Sequence, residues 1–169
     1  DSELGAQLRD VARAIKGKVG LEVAFLNRGG WDTHVLEGGS TGQLATLLRD
    51  LADALAAFRV DLGDAMDDVC VLTMSEFGRT VAENGSGGTD HGRGTAMMVL
   101  GGTVRGGRVL GAWPGLAPAQ LEDGRDLAVT TDFRTLFAEI LVRHLGNPDV
   151  AAVFPGLAWD DARRLGVIA

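Results

Sequence analysis

An α/β fold with a mostly parallel sheet is the class this sequence predicts, and three observations predict it. Short apolar runs at residues 21–26, 69–74 and 95–100 read as strands buried on both faces. Segments of helical periodicity lie between and around them. Loops rich in glycine and acidic residues follow the strand ends, where open parallel sheets place their ligands.

Each element has its own signal. Over residues 2–16, Leu4, Leu8, Val11, Ala12 and Ile15 recur at a helical period. The run at 21–26 is a strand, closed by Asn27, Arg28, Gly29 and Gly30. Residues 43–62 form the clearest helix, with Leu44, Leu47, Leu48, Leu51, Leu55 and Phe58 on one face. The strands at 69–74 and 95–100 are followed by paired glycines and a short strand near 108–110. A helix over 132–145 turns Phe133, Leu136, Phe137, Ile140 and Leu141 inward and stops at Gly146-Asn147-Pro148. A last short helix covers 160–165. No repeat or linker divides the chain, so residues 1–169 read as one α/β domain.

Composition removes several classes of function. The chain has 169 residues and a formal net charge of −7, and a phosphate backbone needs a basic partner, so nucleic acid is excluded. No apolar run reaches membrane-spanning length. Cys70 is the only cysteine, which rules out an intrachain disulfide, and its apolar neighbours make it a small buried hydrophobe. The 25 glycines concentrate in loops between residues 29 and 111, where they mark specialised backbone turns.

Three of those loops hold chemistry. Asp32 and His34 are two residues apart, so on an extended backbone both side chains face the same way and can share one ion. Asp90 and His91 are adjacent and point apart, serving either two neighbouring ions or one ion and one contact behind a ligand. Glu76 offers a further oxygen, and Arg79 a planar donor for phosphate or sulfate. Mixed Asp and His ligation suits zinc, manganese or iron, while magnesium or calcium fits where oxygens dominate. Two ions beside an arginine would form the clamp used for in-line displacement at phosphorus. The glycine-rich stretch 85–94 lacks the Gly-Lys-Ser/Thr ending of a nucleotide phosphate loop. His144, in the last turn of its helix, reads as a packed ring favoured by the helix dipole.

Four motifs together resemble one family. Gly-Gly-Trp-Asp-Thr-His (29–34), Ser-Glu-Phe-Gly-Arg-Thr (75–80), Gly-Gly-Thr-Asp-His-Gly (87–92) and Asp-Leu-Ala-Val-Thr-Thr-Asp-Phe-Arg (126–134) are similar to a bacterial domain-of-unknown-function family, number 1501. Its members are often labelled sulfatase-like and placed in the alkaline phosphatase superfamily. The resemblance implies a three-layer α/β/α sandwich and a site for up to two divalent metals, drawn from Asp32, His34, Glu76, Asp90 and His91. Phe77 stands where the superfamily often has a metal-binding histidine, so Glu76 alone could ligate from that loop. Members are about twice this length, and the chain resembles their C-terminal half. No residue here fills the place of the superfamily's Ser, Thr or modified Cys nucleophile.

The resemblance thus implies the C-terminal part of an exported, periplasmic or extracellular metal-dependent hydrolase. Its substrate would be a small or glycan-borne phosphate or sulfate ester, with Arg79 gripping the anion. The competing expectation is a non-catalytic exported protein that binds or scaffolds on a degenerate version of the same fold.

Overall fold

A computed structural model of the protein describes residues 2–169. It overturns the predicted sheet. The described residues contain two short two-stranded antiparallel sheets and no parallel three-layer sandwich. The elements are α1 (Glu3–Lys16), α2 (Gln43–Leu62), β1 (Cys70–Leu72), β2 (Gly78–Arg79), β3 (His91–Gly92), β4 (Val99–Gly101), α3 (Phe133–Arg143) and α4 (Val150–Val153), with three 3-10 turns. One sheet pairs β1 with β4, and the other pairs β2 with β3.

The chain separates into two compact units. The first runs to Met66 and resumes over Arg79–Gly92, and the second comprises Asp67–Gly78 and Arg93–Ala169.

In the first unit the two long helices form where periodicity placed them. Ser2 caps α1 by accepting from the Gly5 amide at 3.1 Å, satisfying one of the orphan donors of the first turn. Leu4, Leu8 and Ala12 of α1 and Leu47, Ala54, Phe58 and Leu62 of α2 are buried, and the two helices pack on each other. Lys16 donates to the Asp61 carboxylate at 2.7 Å, pinning the end of α1 to α2.

This mutual packing explains why the predicted strand at 21–26 does not form. An apolar run is compatible with a strand but does not supply a neighbour to complete its ladder. The apolar faces of α1 and α2 cover each other rather than a sheet. The segment has no regular secondary structure, with Val23 at 69% and Phe25 at 88% exposure.

The second unit is built around β1, β4 and α3. Cys70, Val71 and Leu72 pair with Gly101, Leu100 and Val99. These strands are half-buried, not covered on both faces as expected. Gly101 and Gly102 are required by close approach: a Cβ on Gly101 would lie 2.0 Å from the Val69 carbonyl oxygen, and one on Gly102 2.2 Å from the Asp67 Cα. Residues 108–110 are not a strand. The third predicted strand shrinks to its last residues because Thr95 and Ala96 are exposed.

Asp132 caps α3 through the Arg134 amide at 3.0 Å. Leu136 of α3 joins Val167 and Ile168 in a core flanked by Leu72, Val99 and Ile140. Glu139, fully buried, accepts from the amides of Gly166 at 2.9 Å and Ile168 at 2.8 Å, fastening the C-terminal segment. His144 caps α3 and its Nδ1 lies 3.3 Å from the Thr103 hydroxyl, in keeping with a structural ring.

Candidate metal centre

The site lies within the first unit and is assembled by backbone pairing rather than by a regular sheet. The segment 33–37 runs antiparallel to 86–89: Leu36 N donates to Ser86 O, Glu37 N to Gly87 O at 2.8 Å, and Thr89 N to Thr33 O at 3.1 Å. On the other side, Thr80 N donates to Asp90 O at 2.9 Å and Asp90 N to the Thr80 hydroxyl at 3.1 Å. The glycine-rich loop is therefore the middle of three segments, and this is why it is rich in glycine. A Cβ on Gly88 would sit 2.3 Å from the His34 carbonyl carbon, and one on Gly92 2.6 Å from that of Arg79.

Thr33 is buried while Asp32 and His34 are not, and the backbone that carries them is tightly turned rather than extended: Thr33 N donates to Trp31 O at 3.0 Å and His34 N to Asp32 O at 3.2 Å. Asp32 Oδ1 lies 2.9 Å from His34 Nε2 and 2.9 Å from His91 Nε2. The two imidazole rings are 5.0 Å apart, tilted by 38°. Among the described residues, Asp32, His34 and His91 form a group whose ligand atoms all lie within 4.8 Å of one another.

Arg79 closes one side. Its Nη1 donates to Asp32 Oδ1 at 2.6 Å, its Nε to the Thr89 hydroxyl at 2.9 Å, and its Nη2 to the Thr89 carbonyl. The Thr89 hydroxyl in turn donates a hydrogen bond to the Glu37 carboxylate at 2.5 Å. The Arg79 hydrogen bond holds the Asp32 carboxyl below its ordinary range. Partial desolvation opposes this, and the hydrogen bond from His91 and the charges of both histidines reinforce it.

Asp90 takes a different place from its neighbour. Its carboxylate meets His34 on the far ring nitrogen, Nδ1, at 2.9 Å, and it does not join the Asp32, His34 and His91 group. Glu76 is exposed and falls in the second unit. The structure thus brings together Asp32, His34, His91 and Arg79, sets Asp90 behind His34, and leaves Glu76 outside the group. Sequence reasoning missed Glu37, Asn84 and Thr89, which tie the loop together. The only sequence signal they give is that polar residues interrupt a run of glycines.

The donor set can be tested for a cation by its chemistry. A carboxylate oxygen accepts and does not donate, so it must face a proton or a metal. His34 meets a carboxylate on each ring nitrogen, Asp90 at Nδ1 and Asp32 at Nε2, and a neutral ring has one proton for the two, which leaves the other nitrogen a lone pair suited to an ion. A four-coordinate ion with bonds near 2.0–2.1 Å spaces its ligands about 3.3 Å apart, close to the contacts observed. Asp32, Asp90 and Glu37 set three carboxylates around the two imidazoles and the Arg79 guanidinium, an oxygen- and nitrogen-donor set that suits a divalent cation.

The chain belongs to the family described as protein of unknown function (DUF1501), whose sequence profile matches residues 11–154. No match was found among curated proteins or among solved structures. No helix among the described residues is long and apolar enough to cross a membrane.

Proposed function

We propose that Asp32, His34 and His91 bind a divalent transition-metal ion, and that the protein is a metal-dependent hydrolase of phosphate or sulfate esters. One observation carries this reading: the convergence of both histidine Nε2 atoms on Asp32 Oδ1 at 2.9 Å. When bound, such an ion supplies a Lewis acid for the ester oxygen and lowers the pKa of a coordinated water. The protein's own groups do the rest. Asp32 and the two imidazoles fix the geometry, and Arg79 offers a fork-shaped donor to an anionic oxygen. The sulfatase-like resemblance of the four motifs favours the same substrate class and an exported location.

A non-catalytic binding role is the second reading, and the state of Arg79 favours it. Three of its five N–H donors hold Asp32 and Thr89, so the guanidinium already serves to tie the site together.

Metal analysis of the purified protein, with turnover of p-nitrophenyl phosphate and sulfate after zinc or manganese addition, separates the two. The hydrolase reading expects about one equivalent of bound metal, metal-dependent hydrolysis, and loss of both in His91→Ala. Bound metal without hydrolysis of either ester supports the binding role. A protein that takes up no metal refutes the site itself.

A further inference from the structure

We infer that Asp90 is a positioning residue that orients His34 from behind, rather than a metal ligand, and that Asn84 fixes it in that role; this rests on the metal site proposed above. Asp90 and Asp32 each set a carboxylate 2.9 Å from one His34 nitrogen, Nδ1 and Nε2 respectively, and a carboxylate can only accept; with an ion on Nε2, the one ring proton sits on Nδ1 and is given to Asp90. That tautomer directs the Nε2 lone pair toward Asp32 and His91, where an ion would sit. A carboxylate on the outer nitrogen of a ligating histidine sets the ring's orientation and raises its basicity.

Asn84 makes this arrangement specific. Its Nδ2 donates to Asp90 Oδ1 at 3.0 Å and to the His34 carbonyl at 3.0 Å. Its Oδ1 accepts from the Ser86 amide at 2.9 Å and the Gly88 amide at 3.1 Å. Both donors and both acceptor sites of the amide are used, and the reversed orientation would set oxygen against oxygen and N–H against N–H. Asn84 thus holds the carboxylate of Asp90 and the backbone of His34 together, while the clamp from Thr80 fixes the Asp90 main chain. The ring is held from both ends, by the peptide that carries it and by the acceptor on its Nδ1.

The test is zinc affinity and the ¹⁵N shifts of the His34 ring in the folded protein. Asp90→Ala should lower zinc affinity about 10–100-fold without changing the stoichiometry, and should release the Nδ1–H tautomer into a mixture. Asp90→Asn keeps an acceptor oxygen and should recover most of the affinity and the tautomer. Asn84→Asp retains the acceptor for Ser86 and Gly88 but sets a second carboxylate against Asp90, and should disturb the tautomer with the loop still folded. The inference falls if Asp90→Asn is as damaging as Asp90→Ala, or if cobalt substituted into Asp90→Asn shows an altered ligand-field spectrum, because a charged oxygen is then ligating directly. It falls equally if zinc in the wild type is bound through His34 Nδ1 rather than Nε2. Wild-type protein that binds no zinc overturns the metal site and the inference with it, whereas wild-type affinity in Asp90→Ala overturns the inference alone.

Discussion

Gly88→Ala is the sharpest perturbation of the site, because it adds one carbon and removes no functional group. The new Cβ would lie 2.3 Å from the His34 carbonyl carbon, 2.5 Å from its oxygen and 2.5 Å from the Thr33 oxygen. All three atoms are backbone, so no side chain can rotate away. Relief requires the 86–89 segment and the 33–37 segment to part by roughly 1 Å, and such overpacking costs about 1–3 kcal/mol. The same movement stretches the Thr89 N to Thr33 O bond from 3.1 Å and the Asn84 Nδ2 to His34 O bond from 3.0 Å. Each lost bond adds about 1 kcal/mol. The expected total is about 3–5 kcal/mol, with weaker metal binding as His34 moves from Asp90. Gly85→Ala is the control, since a Cβ there meets nothing within 4 Å and its φ is not positive. Urea unfolding and zinc titration of both variants provide the assay. Gly88→Ala matching Gly85→Ala in both would refute the close approach of the two segments, and with it the account of why the loop is glycine-rich.

Other expectations concern the second unit. Glu139→Ala should destabilise the protein by about 2–4 kcal/mol, because two amide donors lose their acceptor; an unchanged urea midpoint would contradict the buried clasp to Gly166 and Ile168. Asp161 accepts Arg143 Nε at 3.0 Å and Arg164 Nη1 at 2.7 Å. The hydrogen bond from Arg143 holds its carboxyl below the ordinary 3.8. A depressed folded value means the stabilisation is complete above 3.8 and fades as pH falls through the lowered value. Asp161→Asn should therefore lower stability near neutrality, with the difference from wild type shrinking only below that range; a difference constant down to strong acid would contradict the pairing. Burial pushes the Cys70 thiol up, so a disulfide reagent at mildly alkaline pH should label it slowly in the native protein and quickly in urea. Equal rates would place Cys70 in solvent.

The helices were legible because their signals are local. Ser2 and Asp132 cap through their own side chains, and the periodicity of α2 depends on nothing outside its residues. The sheet was not, because pairing is a relation between distant segments. The run at 21–26 contains the right residues for a strand and finds no ladder, whereas Cys70–Leu72 finds Val99–Gly101. In the site, Asp32 and His34 come together on a backbone that is not extended: Thr33 N bonds Trp31 O and His34 N bonds Asp32 O, two successive three-residue turns that their spacing did not announce. The division of labour between Asp90 and His91 followed only in outline. Adjacent side chains must diverge, but which of them meets Asp32 depends on the clamp from Thr80. Asn84 and Glu37 were invisible for the same reason: each acts through partners about fifty residues away in sequence or in a turn of its own loop.

The unpaired stretch that leads into the site has a kinetic consequence. Between residues 21 and 32 the main chain has no ladder partner, whereas from Thr33 onward it is tied to 86–89. Amide deuteration should therefore fall from water-like rates before Asp32 to protected rates at Leu36 and Glu37, whose amides are given to 86–89, with the turn-bonded amides of Thr33 and His34 between them. Asp32 stands on that boundary. Its carboxylate is located by Arg79 and the two imidazoles, and its peptide only by the local turn bonds to Thr33 and His34. Occupation of the site would consequently be felt upstream, as slower exchange along a segment that touches no metal.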